Sequence, residues 1–155
     1  MQRTRRVLAT LIATATMMGT SCLAEDAVEL TLTADKALFA YDAKEIAVQA
    51  GQLVKLTFVN PADSTNMQPH NIIIGTAGSL QGLIAAANDP ANFADPSFLQ
   101  NPVPKSDLIL HHSKLLKPGE SETLEFTLEE PGDYPYVCTY PGHALLMNGI
   151  LKVTE

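Results

Sequence analysis

Within the ten residues Cys138-Thr139-Tyr140-Pro141-Gly142-His143-Ala144-Leu145-Leu146-Met147 the chain offers a thiol, an imidazole and a thioether, spaced Cys-x4-His-x3-Met. A second imidazole, His70, lies far upstream within Gln68-Pro69-His70-Asn71. Two imidazoles, one thiolate and a weak axial thioether form the donor set of a mononuclear blue-copper centre. Thiolate and thioether favour the reduced ion, while imidazole binds both oxidation states. A three-ligand plane with a long axial contact changes little when an electron moves, which keeps the barrier to transfer small. Zinc takes four strong ligands, and methionine is a poor one. His70, Cys138, His143 and Met147 are therefore the candidate ligands, and copper is the expected cofactor.

Each residue alone has a plainer reading. A single cysteine is most often a buried, inert thiol, and a methionine is more often core than ligand. The four-part pattern and the cellular context argue otherwise. Arg3, Arg5 and Arg6 precede an apolar run from Val7 to Met18, then small residues ending at Ala24. That order reads as a secretory signal peptide over residues 1–24, its apolar run too short to span a bilayer. Thr4-Arg5-Arg6 also fits a twin-arginine export signal. The rival is lipoprotein processing at Cys22, which would leave a lipid anchor; Gly19, where that signal usually has a larger aliphatic residue, favours plain cleavage. Either way Cys138 becomes the one free thiol of an exported, periplasmic chain, where cysteines normally pair. Metal ligation explains an unpaired one.

Loss of residues 1–24 removes three arginines and no acid, so the formal charge moves from −7 to −10. Such a chain avoids nucleic acid and anionic membranes and suits a partner with a basic surface.

Residues 25–155 must position the four ligands, and they read as one domain. Ile46 and Val48, then Val54, Leu56 and Phe58, then Leu124, Phe126 and Leu128 alternate with polar residues, the pattern of half-buried strands. Further strands are expected over Val28 to Thr33, His70 to Ile74, Asp107 to His112, Asp133 to Cys138 and Gly149 to Thr154. Ala50-Gly51, Pro118-Gly119, Pro131-Gly132 and Pro141-Gly142 separate them as turns. About eight short strands of this kind indicate an all-β, antiparallel Greek-key sandwich. Residues 76–104 break the rhythm: Leu80, Leu83, Ile84 and Ala87 follow helical spacing behind Ser79 as a cap, and an irregular loop follows.

At these residues the chain resembles the cupredoxins, and among them azurin and auracyanin more than plastocyanin. The Cys-Thr-Tyr-Pro-Gly-His-x-x-x-Met loop has azurin length, and Leu108 to Leu116 is similar to an azurin strand and turn. The resemblance implies His70, Cys138 and His143 as equatorial ligands and Met147 as the axial one. It implies that Asn71 braces Thr139, and that backbone N–H groups of Asn71 and Tyr140 reach the Cys138 sulfur. It also implies that the edge of His143 reaches solvent within a flat patch of Pro141, Gly142, Ala144 and Leu145. Pro69 stands where azurins have glycine, as in plastocyanins, which leaves a fifth contact open. The azurin disulfide has no counterpart here.

Other residues have structural roles. His111 and His112 point to opposite faces of a strand and cannot chelate one ion together. Glu120, Glu122, Glu125 and Glu129 form a solvated face, and Tyr134 or Tyr136 suits a tyrosine corner. The resulting expectation is a monomeric electron carrier exchanging single electrons with c-type cytochromes or copper oxidoreductases. Copper delivery or storage is the alternative, but after cleavage only Met67 and Met147 remain to form a methionine cluster. No Ser-His-Asp set, paired acids or phosphate loop stands out, and multicopper enzymes need further copper centres, so no enzyme is expected.

Overall fold

The structure is a computed structural model and describes residues 27–155. The expected signal peptide and the alternative lipid attachment at Cys22 lie outside the described residues. Eight strands and two short helices follow in the order β1 (Val28–Thr33), β2 (Glu45–Gln49), β3 (Leu53–Val59), β4 (Ile73–Gly75), α1 (Leu80–Ala87), α2 (Pro90–Phe93), β5 (Ile109–His112), β6 (Ser121–Thr127), β7 (Gly132–Val137) and β8 (Asn148–Thr154). They build a three-stranded sheet, β1-β3-β6, and a five-stranded sheet, β2-β8-β7-β4-β5.

The sandwich is mixed rather than purely antiparallel. β1 runs parallel to β3, and β2 runs parallel to β8. Between β1 and β3 the chain visits the other sheet as β2, and a strand that returns after such an excursion comes back in its original direction. The remaining pairs are antiparallel.

Period-two alternation does what it should in β3, where Val54, Leu56 and Phe58 are buried and their neighbours are partly exposed. These residues meet Leu32, Phe126, Ile72, Ile74, Tyr136 and Leu151 in the core between the sheets. The run Ile72-Ile73-Ile74 is buried throughout because the sheet is covered on both faces here. Ile72 and Ile74 face the sandwich core, while Ile73 packs with Val137 and Leu83 of α1 on the outer face. Helix α1 buries Leu83 and Ala87, two of the four residues with helical spacing.

Local details depart from expectation in two places. Ser79 occupies the N-cap position of α1, yet its side chain makes no capping bond and instead donates to the Thr76 carbonyl at 2.7 Å. Helix α2 was not foreseen, although its signal is local: Asp89 accepts from Ala91 N at 2.9 Å and Pro90 opens the first turn.

Other expectations hold. Tyr134 donates back to the Glu130 carbonyl at 2.8 Å, the geometry of a tyrosine corner. His111 is half-buried and stacks on Phe126 with centroids 4.9 Å apart, while His112 is exposed. Among the acids of the β6 region, Glu122 accepts from Lys114 N and Glu120 from Lys117 N, each at 2.8 Å, and Glu125 pairs with Lys55 at 3.6 Å.

Gly149 tests how tightly this sandwich is packed. It lies opposite Tyr136, whose hydroxyl donates to the Ala43 carbonyl at 2.8 Å. A Cβ at Gly149 would fall onto the Tyr136 ring and hydroxyl. Gly149→Ala is expected to lower stability by about 1–3 kcal/mol, the usual range for overpacking. Urea unfolding measures it, and an unchanged midpoint would mean that Tyr136 gives way freely.

Candidate metal centre

His70 lies just ahead of β4, held by a two-residue bridge to Leu116 rather than by a continuous strand. His70 N donates to Leu116 O at 2.9 Å, and Leu116 N returns a bond to His70 O at 2.8 Å. The buried Asn60 side chain pins the same spot, donating to Gln68 O and Leu116 O at 3.0 Å each. The His70 Nε2 is buried with no hydrogen-bond partner, so packing orients this ring and leaves Nδ1 for the centre.

Cys138 follows directly after β7, and its N–H donates to Met147 O at 2.9 Å. The chain between them closes on itself as a compact turn. Gly142 takes a φ of 83°, which a glycine adopts without strain. Leu146 N and Met147 N both donate to His143 O, at 2.9 and 2.8 Å. Asn148 donates to Ala144 O at 2.9 Å, and Lys44 reaches Leu146 O at 3.0 Å. Four residues separate Cys138 from His143, and this turn is what points both side chains the same way.

The result is a cluster of His70, Cys138 and His143, all buried, with donor atoms within 4.8 Å of one another. Nδ1 of His143 lies 3.6 Å from Cys138 Sγ, and Nδ1 of His70 lies 3.9 Å from it. Bonds of about 2.0 Å to nitrogen and 2.3 Å to sulfur, opened by roughly 120°, would separate N and S by roughly 3.7 Å. Both nitrogen–sulfur separations therefore suit a single ion shared by the thiol and each imidazole. Met147 is fully buried and shares the core cluster with Cys138.

Residues 28–154 match the model of a family described as copper binding proteins, plastocyanin/azurin family. The chain belongs to that family. It is 33% identical over 91 residues to azurin of Pseudomonas aeruginosa, a match covering 57% of this chain and 58% of the azurin. It is 35% identical over 114 residues to auracyanin-A of Chloroflexus aurantiacus, covering 74% of this chain and 67% of that protein. Among solved structures, the dithionite-reduced auracyanin of Roseiflexus castenholzii matches with a TM-score of 0.68 at 33% identity, covering 84% of this chain and all of that one. The cupredoxin fold and the copper cofactor follow from these matches and from the donor set.

In this cupredoxin, Asn71 joins the two ligand-bearing segments. Its Oδ1 accepts from Thr139 N and its Nδ2 donates to Thr139 Oγ1, both at 2.9 Å. Its own carbonyl accepts from the Tyr41 hydroxyl at 2.7 Å. The brace expected between Asn71 and Thr139 is thus present, and it extends further than expected. The Pro102 carbonyl accepts from Thr139 Oγ1 and, at 3.4 Å, from Asn71 Nδ2. The end of the 76–104 insertion is thereby clamped beside His70 and Cys138.

Electrostatics prepare these residues for a cation. Burial pushes the Cys138 thiol up to about 12, opposed by the backbone N–H groups of Asn71 and Tyr140, which lower it. Those two donors are the ones expected to reach the sulfur, and such bonds tune thiolate charge. Both imidazoles are held neutral. Burial lowers His70 and His143 to about 4, with the neighbouring ring adding to the effect at His70. A neutral imidazole can coordinate, and a buried thiol needs a nearby positive charge to ionise.

The surface above the centre differs from expectation. His143 is only 3% exposed and Ala144 1%, so neither contributes to an open patch. Phe39 stacks on His143 with centroids 4.2 Å apart and planes 20° off parallel. Leu145 and Leu146 remain exposed at 68% and 60%. Phe39, Tyr41 and Pro102 escaped the sequence reading because each reaches the centre by tertiary contact, not by spacing or type.

Two outcomes are expected from this arrangement. Asn71→Ala orphans the buried Thr139 N–H and weakens the hold on Pro102, so urea unfolding of the metal-free protein should show a loss of about 2 kcal/mol or more. The second concerns pH. Between the usual imidazole value of 6.5 and about 4, the unfolded chain binds protons that the folded chain refuses. Stability of the metal-free protein therefore falls as pH drops through that window and recovers as pH rises. Unfolding midpoints against pH measure the slope, which His70→Gln should make shallower.

Proposed function

We propose that this cupredoxin is an exported one-electron carrier, with His70, Cys138 and His143 as equatorial ligands and Met147 as axial ligand. The observation that carries the reading is the convergence of one thiol and two neutral imidazoles, all buried, on a single point. Bound copper supplies a one-electron couple there. The chain supplies a rigid frame: β7 and its turn hold Cys138 and His143, and the Leu116 bridge holds His70. A frame fixed by its own hydrogen bonds need not rearrange when charge changes, which is what fast transfer requires.

Burial of all three donors argues against the delivery or storage alternative, which favours open coordination for handing metal on. It also leaves no donor facing a substrate, in keeping with a carrier rather than an enzyme. The leader expected from the sequence would place the protein in the periplasm. Its acidic charge fits partners with basic surfaces, such as c-type cytochromes or copper oxidoreductases. Leu145 and Leu146, beside His143 in sequence and exposed, offer the apolar contact for brief docking.

Copper(II) added to the purified protein should produce an intense visible thiolate-to-copper band that Cys138→Ser abolishes. A colourless protein, or one that takes zinc in preference, would sink the reading. Leu145→Asp should leave that band in place while slowing electron exchange with partners roughly tenfold at high ionic strength. Charge attraction is screened there, and the cost of burying a carboxylate in an apolar contact dominates. Unchanged stopped-flow rates would remove Leu145 from the contact.

A further inference from the structure

His143 is the ligand nearest the surface, yet among the described residues its ring makes a single polar contact, to Cys138 Sγ. Aromatic neighbours enclose it instead. His70 lies 5.0 Å away at 41°, Tyr140 5.0 Å away at 55°, and Phe39 4.2 Å away at 20°. Only Phe39 is close to parallel, and unlike His70 it comes from a remote segment that holds none of the candidate ligands. Phe39 itself is 37% exposed, while the His143 it stacks on is 3% exposed.

The loop that delivers Phe39 is held by hydrogen bonds within itself and to a neighbouring segment. Asp35 N donates to Ala40 O at 2.9 Å, and the Asp35 carboxylate accepts from Ala37 N and Leu38 N at 2.8 Å each. The Lys36 carbonyl accepts from Thr65 N at 2.7 Å and Thr65 Oγ1 at 2.9 Å, and Ser64 Oγ donates to Asn66 Oδ1 at 2.9 Å beside it. Lys36 Nζ pairs with Asp63 at 2.6 Å across the same junction. At the base of the loop Ala34 bridges Tyr41, whose hydroxyl is bonded to the carbonyl beside His70. The loop is thus tied both to the 63–66 segment and to a ligand-bearing segment, which fixes where Phe39 can sit.

We propose that Phe39 is a positioning residue for His143. Its ring holds the imidazole in the plane that aims Nδ1 at Cys138, and it closes that imidazole off from water. One face of the imidazole nearest the surface is therefore covered by an aromatic ring. The stacking stands on geometry alone, while its consequence for metal retention rests on the copper reading above.

The test uses Phe39→Ala, Phe39→Leu and Phe39→Tyr in the full chain. In metal-free protein, proton NMR of His143 should show ring signals shifted upfield by the stacked ring in the wild type and in Phe39→Tyr. The shift should vanish in Phe39→Ala and Phe39→Leu. With copper(I) loaded, release to a chelator should be roughly two- to tenfold faster in those two variants, the factor an aromatic pair is worth, and restored in Phe39→Tyr. Unchanged His143 signals in Phe39→Leu would overturn the stacking, and wild-type release from Phe39→Leu would overturn the positioning role by showing that bulk suffices. Should Phe39→Ala fail to fold, the leucine and tyrosine variants carry both readouts. Should the protein take up no copper, the electron-carrier reading fails, and the NMR comparison still decides the stacking.

Discussion

The Asn71 side chain carries the geometry of this centre. One amide bonds to both the N–H and the hydroxyl of Thr139, and so locks the residue after His70 to the residue after Cys138. These two segments are far apart in sequence and meet only across β4 and β7. Without a polar lock they would be aligned by apolar packing alone, which is non-directional. The amide adds direction, and a buried bond of this kind is expensive to leave unmade. Tyr41 and Pro102 bond to the same two residues and draw two more segments to the same point.

The electrostatic character of the site follows from that burial. A thiol pushed up and two imidazoles pushed down are all disfavoured in their charged forms by the same loss of water. The arrangement is neutral in itself and suited to a cation that supplies the missing charge. Fold stability and metal affinity then share one cause. The sandwich must exclude water to be stable, and excluding water is what makes the donors hungry for a metal.

The surface follows a different logic. The 35–40 loop is exposed, yet it is held by carboxylate and carbonyl bonds rather than by burial. Short polar side chains such as Asp35, Ser64 and Thr65 can fix a loop where no core is available. What the loop presents above the centre is apolar, so the junction of rigid polar scaffold and apolar face lies over the ligand nearest solvent.

Much of this was legible in the residues alone. The candidate donors Cys138, His143 and Met147 followed from residue type and spacing, because they sit on one short turn, whereas His70 needed the fold to reach them. The strands followed from period-two alternation, and the solvated glutamates and the opposed His111 and His112 from the same periodicity. Spacing could not show that two strand pairs run parallel, since direction depends on which sheet the chain visits in between. Nor could it show that Ala144 turns inward, that Pro102 closes on Thr139, or that Phe39 covers His143. Those contacts join segments tens of residues apart and leave no periodic trace. The sequence alone determined which donor types are on offer and which of them share one turn, since that is chemistry carried by each side chain. Only the tertiary structure decided how they are braced and what covers them, since that depends on which surfaces the packed sheets bring together.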